Sequence, residues 1–152
     1  MHTEHLQNVR TGSVAAGWLV AVAVSSLLAF VFLASGFFDG AGGDTLWASL
    51  AVILGFWAGG YFAGFRAMQA AILHGIAIGL TSLVVWFVVN AIATLFFRGF
   101  RWEALTPALA VGLLLAQIAA AVIGALMGYN MALRGRPGLE EHPPEPAGET
   151  PR

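Results

Sequence analysis

The 152-residue chain contains no cysteine and no lysine, and only 10% of its residues are charged. Each scarcity excludes something. Without thiols there is no disulfide scaffold and no Cys-ligated metal site. Seven basic residues, all arginine, stand against eight acidic ones, for a formal net charge of −1. Nucleic acid is therefore not an expected partner, because phosphate binding needs a basic surface. A soluble domain is about 25% charged, so water cannot be the solvent for most of this surface. What is present is 59% apolar residues, 19 glycines and a mean hydropathy of +0.80. That hydrophobicity excludes disorder throughout, and the length excludes a large multidomain enzyme.

The few charges are spaced rather than scattered. Between residues 14 and 133 they are Asp39, Asp44, Arg66, Arg98, Arg101 and Glu103, which fall at three breaks. A bilayer core of about 30 Å takes roughly 20 helical residues, and each of the four intervening stretches is long enough. Continuous apolar runs favour helices over the alternating strands of a membrane barrel. The expected architecture is an all-α integral membrane four-helix bundle with antiparallel Gly-rich hairpins. Its spans cover about 14–38, 45–65, 67–91 and 105–133. Residues 1–13 read as a short cytoplasmic N-terminus and 137–152, with five prolines and four glutamates, as a disordered acidic tail. Asp44 or Thr45 is placed to cap the second helix, Pro107 to begin the fourth and Gly135 to end it. The third helix is expected to leave the membrane core near Asn90, with Phe96, Phe97, Phe100 and Trp102 lying among Arg98 and Arg101 in the headgroup layer.

The first span could be mistaken for a signal peptide, with Ala34, Ser35 and Gly36 as the cleavage site. Its apolar run is longer than the usual core of 7–15 residues, so it is read as a span. An even number of spans puts Arg10, Arg66, Arg134 and Arg136 on one side and Arg98 and Arg101 on the other. The positive-inside rule then directs both termini to the cytoplasm.

Small residues recur every fourth position: Gly17, Ala21, Ser25 and Ala29; Ala51, Gly55, Gly59 and Ala63, with Gly60 and Gly64 beside them; Ala67, Ala71, Gly75 and Gly79; Gly112, Ala116, Ala120, Gly124 and Gly128. Residues four apart share a helix face, so each ladder is a shallow groove that admits another backbone closely. The short turn at Arg66 and Ala67 predicts that helices two and three pack ladder to ladder. A helix with two ladders could also serve a homo-oligomer. The other expected partner is the lipid bilayer.

Polar groups inside a span are costly and hence candidates for function. They are His74, one turn into the third helix, Gln117 near the middle of the fourth, and Ser25 on the first. His74 could relay protons, but no span carries a carboxylate to exchange with, so hydrogen bonding across the Arg66 turn is the plainer role. Gln117 and Ser25 read as interhelical hydrogen-bonding groups. Trp57 and Trp86 read as bulk opposite the glycines, and Trp18, Trp47 and Trp102 as interfacial belts. No two-His metal spacing lies within a span, His2 and His5 offer at most an adventitious contact, and no Gly-x-Ser-x-Gly elbow is present. Neither a catalytic residue, a cofactor nor a metal is expected.

The hairpin Gly59-Gly60-Tyr61-Phe62-Ala63-Gly64-Phe65-Arg66-Ala67, followed by Ala71-Ile72-Leu73-His74-Gly75 and Gly79, resembles the YrzE-like families of small four-span bacterial membrane proteins. The resemblance implies a four-helix inner-membrane protein whose glycines and histidine are shared architecture, and it brings no activity. The absence of lysine and the acidic, proline-rich tail depart from that pattern. The expected role is a structural or interaction component rather than an enzyme. The alternative is a small transporter or channel subunit with His74 near the pathway.

Overall fold

A computed structural model describes residues 9–38, 40, 43–96 and 107–135. The arginine- and aromatic-bearing stretch beyond Phe96, the acidic tail, and His2 and His5 lie outside the described residues. Four helices make up the described chain: α1 (Thr11–Ala34), α2 (Asp44–Ala67), α3 (Ala71–Phe96) and α4 (Pro107–Arg134). All four are long and apolar enough to cross a membrane, which suggests a multi-pass membrane protein.

Burial runs opposite to that of a water-soluble bundle. The side chains sealed between helices are mostly small: Ala21, Ala63, Ala121 and Ala125 are all 0% exposed. Large apolar side chains point outward instead, with Phe30 at 66% and Leu95 at 79% exposure. In water such a surface would associate without limit. In hydrocarbon, which gives apolar side chains no reason to hide, helices gain by packing small faces closely.

The ends of the helices are made by local chemistry. Gly36 adopts φ +78° just past α1, its N–H donates to Leu33 O at 3.1 Å, and Phe37 N–H donates to Phe32 O at 3.0 Å. This is the Schellman pattern, with a left-handed residue closing the helix. Its usual apolar contact is the Phe32–Phe37 ring pair, centroids 5.8 Å apart and edge-to-face. α1 therefore stops at Ala34, and Ala34-Ser35-Gly36 is a helix stop. Trp47 leans on both phenylalanines from the start of α2, its ring centroid 4.4 Å from that of Phe37, so it ties the α1–α2 connection together.

Neither Asp44 nor Thr45 caps α2. The N-cap is Gly43, and Asp44 Oδ1 instead accepts the Gly40 N–H at 3.3 Å, which folds the preceding loop back onto the first turn. Asp44 still places a negative charge where the helix dipole favours one. At the other end α2 runs through Ala67, so the first rung assigned to the third helix belongs to the second. The turn that follows spans residues 68–70, with Met68 at φ 52° and Ala70 at φ 47°. Two L-residues in the left-handed region within three positions make a tight and strained reversal. Arg66, in the last turn of α2, is exposed at this end of the bundle.

α3 runs unbroken through Asn90. It continues to Phe96, and its polar side chains bond within the helix: Thr81 Oγ1 donates to Ala77 O, Asn90 Nδ2 to Trp86 O and Thr94 Oγ1 to Asn90 O, at 2.7–2.8 Å. Bonded to the carbonyl one turn back, these groups leave the helix unbroken. α4 begins at Pro107 and ends at Arg134, where Gly135 N–H donates to Met131 O at 3.1 Å.

Candidate functional site

α2 is the central helix, and its two small faces have different partners. Gly55, Gly59 and Ala63 meet α1. A Cβ on Gly17 would stand 2.9 Å from Ala63 Cβ and from Gly59 O, and one on Gly55 would stand 2.7 Å from Ala21 O. Gly60 and Gly64 meet α4 instead. A Cβ on Gly60 would strike Ala121 O, and one on Gly64 would strike Ala125 O. The fit is reciprocal, since a Cβ on Gly124 would strike Trp57 O and one on Gly128 would strike Tyr61 O. The direction in which each of these four glycines would carry its Cβ leads to a carbonyl oxygen across the interface, the arrangement of Cα–H···O contacts.

This differs from the ladder-to-ladder packing expected of helices two and three. Those helices do run antiparallel through a short turn, yet the tightest faces of α3 lie against α4. A Cβ on Gly75 would be 2.5 Å from Val122 Cα, and one on Gly79 would be 3.2 Å from Ile118 Cα. The pairs 60 with 121 and 64 with 125 rise together along the chain, so α2 and α4 are parallel. The second α2 ladder, which could have served an oligomer, is thus occupied by α4. Gly112 joins neither interface, for a Cβ there meets nothing within 4 Å.

Of the three intramembrane polar candidates, His74 is the one with a built environment. It is 0% exposed, at the end of the bundle where α1 begins and α2 turns into α3. Nε2 lies 3.2 Å from the backbone nitrogen of Arg10, and Nδ1 lies 2.9 Å from Ala70 O. The Arg10 N–H can only donate, so Nε2 must present a lone pair. A neutral ring then carries its proton on Nδ1 and donates to Ala70 O. The same carbonyl accepts the His74 N–H at 3.1 Å. One imidazole therefore joins the residue preceding α1 to the strained turn preceding α3. Nothing in the sequence around His74 signals Arg10 as its partner, because the donor is a backbone group 64 positions away.

Ser25 and Gln117 are placed differently. Ser25 Oγ is buried against Gly55 without a hydrogen-bond partner, so its value at the α1–α2 crossing is its size. Gln117 makes no hydrogen bond to a described residue and lines a groove of about 270 Å³ between α3 and α4 with Ser82, Leu83, Trp86 and Leu114. Trp57 and Trp86 face outward at 38% and 43% exposure. Trp18 packs against the core with its Nε1 buried and unpartnered, unlike an interfacial indole, which keeps its N–H wet.

No known protein family, curated protein or solved structure matches the chain. Among the described residues there is no group of three His, Cys, Asp or Glu side chains that could hold a metal ion. What the site can do chemically is hold backbone: both ring nitrogens of His74 are engaged, and every ladder glycine except Gly112 meets a neighbouring helix.

Proposed function

We propose that this chain is a four-span protein of a bacterial inner membrane that works as a structural or interaction component rather than an enzyme. The resemblance of its hairpin to YrzE-like proteins belongs to the same reading. The observation that carries it is His74, the residue best suited to chemistry by type. Sealed from solvent, it has both nitrogens on backbone groups, as a group does when it fastens helices. A transport pathway past His74 would need at least one ring nitrogen open to the path, so the transporter reading is the weaker one.

Small residues spaced at four fasten the remaining contacts, since lipid supplies no hydrophobic drive for helices to meet. Arg10, Arg66 and Arg134 share one end of the bundle, while Asp44 stands at the other. With Arg136 they make four arginines, against Arg98 and Arg101 on the side to which the sequence assigns the third break, and that excess supports both termini in the cytoplasm. Partners beyond lipid would meet the outward faces, whether a second copy or another membrane protein.

The test is reconstitution of the full chain into liposomes with proton- and solute-sensitive dyes, beside in-membrane cross-linking of the native protein. The expected result is no flux together with discrete cross-linked species. A flux that His74→Ala abolishes would overturn the proposal in favour of transport. A reporter fused after Gln69 that reads as periplasmic would reverse the orientation.

A further inference from the structure

We infer that His74 is a proton-sensitive latch, closed when the imidazole is neutral and opened by acid, which fastens the start of α1 to the α2–α3 turn. Two hydrogen bonds and complete burial define this latch, whatever the protein's partners.

The closed state needs one particular protonation form. Arg10 N–H donates to Nε2, and Nδ1–H donates to Ala70 O. A second proton can enter only at Nε2, the atom that accepts. The charged ring would then aim an N–H at the Arg10 N–H, two donors 3.2 Å apart at nitrogen in a site without water access. A buried donor with no acceptor is costly, and a buried charge more so.

Nothing nearby compensates. Facing this end are Arg10 ahead of α1, Tyr61 and Arg66 in the last two turns of α2, and Tyr129 and Arg134 in the last turns of α4; α3 brings no second titratable group there. Three of these are cations, and no carboxylate is among the described residues at this end. The Ala70 bond survives protonation, because Nδ1 still donates. The Arg10 bond does not. Acid therefore releases one partner, and it is α1 that comes free.

The consequence is directional. Arg10 precedes the first turn of α1, which carries Ser13 and Val14 into the core at 5% and 8% exposure. Gly17, two turns further, is held by Gly59, Ala63 and Ile78. Opening the latch therefore frays α1 from its start to about Gly17 and leaves the α2–α4 interface intact.

The native chain lacks cysteine, so paired spin labels can be placed at Arg10→Cys and Gln69→Cys in the full-length protein in phosphatidylethanolamine–phosphatidylglycerol vesicles. Arg10→Cys keeps the backbone N–H that matters. Strong dipolar broadening is expected at about pH 8, with loss at about pH 5 that reverses on return. His74→Gln, which can accept and donate but cannot charge, is expected to keep the broadening at both values. Broadening unchanged by acid in the chain carrying His74 would overturn the inference, as would an acid response that persists in His74→Gln. Should His74→Gln fail to fold, nitrogen NMR of the His74 ring in the native chain, resolved from the other three histidines, decides alone. At about pH 8 a buried imidazole with protonated Nδ1 and bare Nε2 is expected, and the opposite tautomer would overturn the latch.

Discussion

Two glycines of the same sequence pattern should respond oppositely to one added methyl group. Gly64 and Gly112 are both rungs of four-spaced ladders, but only Gly64 meets another helix. A Cβ on Gly64 would lie 2.7 Å from the carbonyl carbon and the Cα of Ala125, whereas carbon pairs rest at about 3.5–4.0 Å. The shortfall is about 1 Å, and it is against backbone, which cannot rotate aside. α2 and α4 must separate by about that much, and a gap of 0.5–1 Å forfeits a quarter to a half of each dispersion contact along the seam. The expected cost of Gly64→Ala is about 1–3 kcal/mol, the usual range for overpacking. At Gly112 the methyl meets nothing within 4 Å. The helix then only gains, by up to about 1 kcal/mol, from replacing glycine in its interior. Titrating the purified protein from mild detergent into SDS, with helicity read by circular dichroism, measures both. A Gly64→Ala protein as stable as the parent would refute the close approach of α2 and α4. Equal losses at both positions would refute the assignment of Gly112 to an open face.

Three further outcomes follow from particular atoms. Gly36→Ala places a Cβ in open space but at φ +78°, so a loss of about 1–2 kcal/mol is expected from the backbone alone, read by the same titration. Ala70→Gly relieves φ 47° and should raise stability by about 1 kcal/mol; a loss instead would show that Ala70 is not left-handed. Ser25→Ala removes a buried hydroxyl that has no partner and should be neutral or slightly stabilising. A loss above about 1 kcal/mol would restore the hydrogen-bonding role that serine commonly plays between membrane helices.

The number of helices was legible because charge is expensive in hydrocarbon, and the positions of Asp44 and Arg66 mark where the chain leaves it. Helix ends were legible where a single residue decides them, as at Pro107. They were not where two candidates compete. Asp44 could cap or brace, and the loop glycines let it brace. Asn90 bonds to the carbonyl one turn back, and α3 continues through it as helix. The pairing of faces was the least legible. Spacing at four tells that a helix has a groove, but Gly60 and Gly75 carry no sign that both meet α4 rather than each other. His74 could be singled out by its type and depth, while its partner is a backbone N–H, which every residue except proline carries.

The central position of α2 also sets an order of assembly. Its α1 face can close as soon as the second helix has entered the bilayer, because Gly17, Ala21 and Ser25 are already there. Its other face must wait for Ala121 and Ala125, some 60 residues later in synthesis, and α3 must wait for Val122 and Ile118 as well. Until α4 arrives, a glycine-lined groove on α2 and another on α3 stand open to whatever is in the membrane. Chains stalled before the last span would expose both at once, so the final helix closes this fold and ends the interval in which a nascent chain can be captured by the wrong neighbour.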